Sequence, residues 1–320
     1  MKKVFTLALA LMMIFASTAL AEYPDKQITV VCPYSPGGAS DTTSRIYASM
    51  LQEIAGVPVI VDNRTGSNGA VGLAYGAQAD PDGYTITYMP VESVIDKSLG
   101  YGDVTTDDFL FIGRAMTIPA AITVRADAEW NSFEEFLAYA KEHPGDIRVG
   151  NSGVGSIWHI AAATVEDVCD VQLTDIPYSE GAAGAIAGLL GGEIEAVACS
   201  AAEVSNYVQD GQLKCLVILG SNRSTAPSLT EVPTAEELGY AINVEGWGGF
   251  AVPAGTPDDI ISALVDMSDK AINAQEMKDL FASKGFEHAY MNGSSANGYA
   301  KQQLDYFAEL VPSLGIAPAN

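Results

Sequence analysis

Gln27-Ile28-Thr29-Val30-Val31-Cys32-Pro33-Tyr34-Ser35-Pro36-Gly37-Gly38-Ala39-Ser40-Asp41 decides the fold. The β-branched run up to Cys32 reads as a buried strand, and beyond the glycine pair Ile46, Met50, Leu51 and Ile54 recur at helical spacing. A strand that feeds a helix through a short glycine loop opens a βα unit. Gly37-Gly38 also exposes backbone N–H groups at the positive end of the helix dipole, which suits an anion without any Lys or Arg. A tight turn capped by Ser40 or Asp41 explains the same residues, and this segment alone leaves both readings open.

Outward from there the same alternation continues, with strand-like runs VPVIVDN, YTITYM, FLFIG, AAITV, IRVG, IEAVAC, KCLVIL and GFAV separated by helical patterns. This is the signature of an α/β protein with mostly parallel sheets. Ser132 with Glu135, Ser200 with Glu203 and Thr234 with Glu237 read as capping boxes, and Thr256-Pro257 as a capped start with proline at the first helical position. These are folding signals without chemistry. No repeat, low-complexity tract or flexible linker is evident, so two lobes joined by ordered strands are expected, with crossings near Pro119 and Trp247. The expected division is a signal peptide at 1–21, lobe one at 22–122 plus 248–320, and lobe two at 123–247. A double crossover makes a hinge.

Lys2 and Lys3, the apolar run from Val4 to Ala16 and the ending Ala19-Leu20-Ala21 form a secretory leader, cleaved after Ala21. The first cysteine is Cys32, so a free periplasmic protein is expected and not a lipoprotein. No later run approaches the roughly 18 apolar residues of a membrane span. The formal charge of −24 becomes −26 once Lys2 and Lys3 leave with an acid-free leader, which argues against nucleic acid or anionic lipid as partner. Cys32, Cys169, Cys199 and Cys215 enter an oxidising compartment, where one or two disulfides are open to them. Buried inert thiols are the favoured reading, because three of the four sit in apolar strand-like runs.

Three further segments carry functional interest. Asn63-Arg64-Thr65-Gly66-Ser67-Asn68-Gly69 is again a small-residue loop opening a helix, with Arg64 read as a structural ion pair beside Asp62. Residues 150–159, Gly-Asn-Ser-Gly-Val-Gly-Ser-Ile-Trp-His, resemble a nucleophile elbow only superficially, because Val154 stands where Gly-x-Ser-x-Gly needs glycine. They fail as a dinucleotide fingerprint because the third glycine falls at Trp158. What remains is a third candidate anion cradle, with His159 favoured as a packed histidine that hydrogen-bonds the loop over a triad member with Ser152 or Ser156. In Ile176-Pro177-Tyr178, the tyrosine lines a cleft or packs half-buried.

These segments, with Tyr23-Pro24, Asp82-Gly83-Tyr84, Leu190-Gly191-Gly192, Val232-Pro233-Thr234 and Pro253-Ala254-Gly255-Thr256-Pro257, resemble in order and spacing the periplasmic solute receptors of tripartite tricarboxylate transporters, the Bug family. The resemblance implies a type II periplasmic-binding-protein fold, two Rossmann-like lobes joined by two crossover strands, with a small carboxylate held between them. It implies no cofactor, no metal and no catalysis, membrane transporter subunits as partners, and a monomer. The ligand-contacting residues it implies are Tyr34, Ser35, Gly37, Gly38, Ala39 and Asp41 in the first loop, and Asn68 and Gly69 in the second. Lobe two would add Ser152, Gly155, Ser156, His159 and Tyr178.

Three departures from the family pattern stand out: Arg64 is followed by Thr65 and not proline, Trp158 replaces a small residue, and Ser179-Glu180 replaces a basic residue, the aromatic and the acid being the two expected to reshape the far end of such a pocket. The identity of the solute therefore does not follow. Two other functions stay open on sequence: a secreted hydrolase using Ser152 or Ser156 with His159, and a receptor that signals to a sensor kinase. Against catalysis stand the missing acid/base pair, metal cluster and cofactor fingerprint.

Overall fold

The computed structural model describes residues 23–178 and 181–316. The leader at 1–21 lies outside them, as do Ser179 and Glu180. The order is β1 (Ile28–Cys32), α1 (Ala39–Ala55), β2 (Val59–Asn63), α2 (Ala70–Ala77), β3 (Thr85–Pro90), β4 (Phe109–Arg125), α3 (Phe133–Glu142), β5 (Arg148–Asn151), α4 (Ile157–Cys169) and β6 (Thr174–Pro177). Then follow α5 (Ala182–Gly191), β7 (Ala196–Ser200), α6 (Ala201–Gln209), β8 (Leu213–Ile218), β9 (Glu245–Pro253), α7 (Asp258–Asn273), α8 (Gln275–Lys284), β10 (Glu287–Asn292) and α9 (Gly293–Ser313). Short 3₁₀ turns occupy Ser67–Gly69, Val91–Val94 and Thr106–Asp108.

The strands form two sheets that share β4. In the first, β2, β1 and β3 run parallel, and β9 joins β3 antiparallel, with β4 beside β9 and β10 on the far side of β4. In the second, β7 and β8 flank β4 antiparallel, and β5 and β6 continue parallel from β7. The parallel βα units expected from sequence are there. Every antiparallel pairing involves one of the two long strands β4 and β9.

The expected crossing at Pro119 has a physical reason. β4 pairs with β9 up to Pro119, opposite Glu245, and from Ala120 pairs with β7 and β8. Proline cannot donate to a ladder, so it sits where one set of partners ends and the next begins. Nearly every β4 residue is buried because helices cover both faces. FLFIG and AAITV therefore belong to one 17-residue strand, disguised in the sequence by Arg114, Thr117 and Pro119. The polar β10 carried no strand pattern of its own.

Local signals held unevenly. Ser200 and Glu203 form a complete capping box, and Ser132 accepts from the Glu135 amide. Thr234 and Glu237 exchange the same reciprocal bonds, yet the chain there forms turns and no helix. Pro257 precedes α7 as its N-cap and is not its first helical residue. Cys32, Cys199 and Cys215 lie in β1, β7 and β8, and all four thiols are free. Burial pushes Cys169 up to about 11 and Cys215 to about 12, which makes both inert at neutral pH.

In the first sheet's core Tyr47 stacks on Phe250 with ring centroids 3.6 Å apart, and its hydroxyl meets Ser268 Oγ at 2.6 Å. That contact clamps α1 and α7 onto crossover strand β9. Phe250→Ala should lower the unfolding free energy by about 3–5 kcal/mol in urea titration, because Phe250 is fully buried among rings that cannot close over the void. A loss below about 1 kcal/mol would show that this packing is not what fixes the strand.

Candidate ligand-binding cleft

The loops after β1, β5 and β6, with the turn after β3, converge on one cavity of about 460 Å³, floored by Met116, Ile118, Gly246 and Trp247 of the crossover strands. This is the size of a small-molecule site, and it lies between the two sheets.

The first loop is held open by its own aspartate. Asp41 does not cap α1. Its Oδ2 accepts from the Gly37 amide and from Arg45 Nε, both at 2.9 Å, and its Oδ1 accepts from Asn63 Nδ2 at 2.8 Å. Asn63 also donates to the Tyr34 carbonyl at 2.8 Å. Burial pushes the Asp41 carboxyl up, but the bonds from Arg45, Gly37 and Asn63 outweigh it and hold the group below its ordinary 3.8. The N-cap of α1 is Gly38, in extended backbone, and no side chain caps it. Gly38, Ala39 and Ser40 line the cavity, so the unspent donors of a 17-residue helix begin at its wall.

Asn68 lines the cavity in left-handed backbone (φ +54), donates to Asp96 Oδ1 at 2.9 Å and accepts the Tyr34 hydroxyl at its carbonyl. Gly69 stands behind it. A Cβ there would lie 3.3 Å from the Tyr34 hydroxyl. Arg64 pairs with Asp62 at 2.8 Å, as the sequence suggested, and also covers the Tyr75 ring.

The third loop spends its amides internally. Gly153 N–H donates to Asn151 Oδ1 and Gly155 N–H to His159 Nδ1, each at 2.9 Å, and Ser156 Oγ caps α4 by accepting from the His159 amide. Ser152 and Ser156 reach the cavity wall, but Gly155 packs on Leu99 and His159 turns toward Asp175, 3.6 Å away. Burial lowers the His159 pKa against the pull of Asp175, and a ring nitrogen that accepts an amide is unprotonated. Ser156 and the His159 ring thus serve different partners, and the nucleophile-to-base contact of a hydrolase is not made between them.

The uncapped helix start of lobe two is at α5. Gly181, its N-cap with φ +76, lines the cavity and no side chain caps the helix. Tyr178 lies over α5, where a Cβ on Gly188 would come 2.2 Å from its hydroxyl. Of the thirteen residues expected at the ligand, the structure brings Tyr34, Ser35, Gly38, Ala39, Asn68, Ser152 and Ser156 to the wall. Gly37, Asp41, Gly69, Gly155, His159 and Tyr178 stand behind it as packing or bracing.

Sequence reasoning missed Glu92, Glu203 and Tyr88, all at the wall. Glu203 was visible only as a capping residue, and it is one: its Oε2 takes the Ser200 hydroxyl at 2.5 Å. Glu92, inside the unremarkable VESV, gave no signal. Its carboxylate accepts from the Tyr34 hydroxyl and, across the cleft, from the amide of Ile157, the first residue of α4. Desolvation raises the pKa of both, with Glu92 half-buried and Glu203 exposed on one side. No group of ligating side chains able to hold a metal occurs among the described residues, and no helix among them is long and apolar enough to cross a membrane.

Comparison with known proteins agrees with this geometry. Residues 43–316 match the family model for the tripartite tricarboxylate transporter family receptor. The UPF0065 protein of the tcbD-tcbE intergenic region in a Pseudomonas species is 32% identical over 88% of this chain and 85% of its own length. Protein BugT of Bordetella pertussis is 28% identical, covering 94% and 93%. Among solved structures, a TctC solute-binding protein from Polaromonas superposes with a TM-score of 0.78 at 37% identity, covering 91% of this chain and 99% of that one. A protein of R. palustris solved with adipate shares the fold at 23% identity, with a TM-score of 0.82 over 93% and 100%. Two Rossmann-like lobes, two crossover strands and a cleft between them are therefore the type II periplasmic-binding-protein fold, and the chain belongs to the receptor family of the tripartite tricarboxylate transporters.

Proposed function

We propose that this chain is a periplasmic receptor that binds a small carboxylate in the cleft and delivers it to a membrane transporter. The observation that carries the reading is the uncapped start of α1, whose first residues Gly38, Ala39 and Ser40 line a cavity between the sheets while Asp41 faces away. Aligned amides at a helix start favour a carboxylate without a basic residue. The distant acids responsible for the chain's net charge are screened over about 8 Å, whereas amides act at hydrogen-bond range. In this reading lobe one is 22–122 with 248–320 and lobe two is 123–247, a division supported by the change of β4 partners at Pro119. The reading of residues 1–21 as a secretory leader supports a periplasmic location. Adipate in the R. palustris relative supports a carboxylate as the class of solute.

A thermal-shift screen against mono-, di- and tricarboxylates, aromatic acids and amino acids should find a compound that raises Tm by about 5 °C at a hundredfold excess over its Kd. Gly38→Val should abolish that shift. Its backbone is ordinary for an L-residue (φ −77), and the nearest atom to the added Cβ is 4.0 Å away, so the side chain projects without disturbing the fold. An undiminished shift would place the ligand elsewhere.

Asp41→Ala should destabilise the protein by about 1–3 kcal/mol at pH 7, because it strands buried donors of the loop, and should weaken the same ligand. The sign with pH follows from the direction of the shift. A carboxyl held below its unfolded value contributes stability above pH 3.8 and loses it as pH falls through the folded value. The margin of wild type over Asp41→Asn in urea should therefore shrink only below pH 3.8; a constant margin from pH 7 to pH 3 would show that the charge contributes nothing.

A further inference from the structure

We propose, resting on the receptor reading above, that the solute is a small carboxylate that also carries a positively charged nitrogen, with its cationic end seated against Glu92, Glu203, Trp158 and Trp247. Glu92 approaches from the turn Val91–Val94 and Glu203 from the first turn of α6, so the two acids reach the cavity from opposite lobes. No Lys, Arg or His stands among the described residues that line it. A receptor for a simple dianion would have only the uncapped start of α5 to offset the repulsion of two carboxylates on the second charge of its ligand. Each glutamate keeps acceptor capacity beyond its present bonds, Glu92 with its own amide, the Tyr34 hydroxyl and the Ile157 amide, and Glu203 with the hydroxyl and amide of Ser200. Desolvation by the cleft walls pushes both carboxyls up, Glu92 half-buried and Glu203 still exposed on one side, and a cation beside them would pull both down again.

The aromatic walls supply an independent reason. Trp247 is 3% exposed and is fixed by Phe111 and Tyr299, with ring centroids 6.2 Å and 5.7 Å away. Trp158 lies against the crossover strand, 3.3 Å from where a Cβ on Gly246 would stand. Rigid indoles attract an ammonium group and repel a carboxylate, because the ring face is negative. Acids and indoles together make the cavity wall complementary to a cation, and the uncapped start of α1 on the same cavity takes the carboxylate.

Matched pairs test this in isothermal titration of the mature protein: glycine betaine against 3,3-dimethylbutanoate, and 4-aminobutanoate against pentanoate. Within each pair only the charged nitrogen differs. In at least one pair the zwitterion should bind at least about tenfold more tightly. Glu92→Gln and Glu203→Gln should each cut that ratio, with the zwitterion losing more affinity than its neutral-ended partner. Glutamine keeps the shape and the capping acceptor, and unchanged thermal melts by circular dichroism verify folding. Equal binding within both pairs, a preference that survives both substitutions, or binding of adipate or malate with none of either zwitterion overturns the inference and leaves the receptor standing. Failure of every carboxylate, zwitterionic or not, sinks the receptor reading with it.

Discussion

The structure turns on a helix start that its own sequence declines to cap. Ser40 and Asp41 are both able to satisfy the first amides of α1, and neither does. Asp41 is drawn backward by Gly37, Arg45 and Asn63, which costs the helix a cap and gives the loop a rigid frame. At α4 and α6 the opposite choice is made, with Ser156 and Ser200 closing the helix starts. Four helix starts thus border the cavity, and those at α1 and α5 retain donors for something else.

The crossover strands make that arrangement usable. β4 pairs in both sheets and β9 lies beside it in the first; together they floor the cavity and carry Met116, Ile118 and Trp247 into it. Any relative motion of the lobes must bend these strands, so the cavity is built where a hinge acts. Contacts already span the mouth: the Tyr101 hydroxyl donates to the Val154 carbonyl at 3.1 Å, and Leu99 fills the space over Gly155. Gly155 needs both its left-handed φ of +77 and that space. It works in the contact between lobes, set back from the cavity wall.

Much of the fold was legible because burial writes itself into local pattern. ITVVC, IRVG and IEAVAC announced their strands, and Pro119 announced the crossing. β10 and the unity of β4 were illegible for a common reason: a strand paired through polar residues, or interrupted by Arg114 and Thr117, is defined by its partners and not by its own periodicity. At the cleft the sequence identified the right loops but not which atoms in them remain free. Glycine content alone suggested that 152–156 was the cradle of lobe two, and only the bonds to Asn151 and His159 show those amides spent. Glu92 is the plainest case of information absent from the chain, because its place at the wall depends on a turn bringing it to a helix from the other lobe.

The most direct test is a crystal structure of the mature protein saturated with the tightest-binding carboxylate. A carboxylate oxygen should lie about 3 Å from the amide nitrogens of Ala39 and Ser40, with Asp41 still bonded to Gly37 and Arg45. A carboxylate found elsewhere in the cleft, with water or a side chain on those amides, would contradict the account.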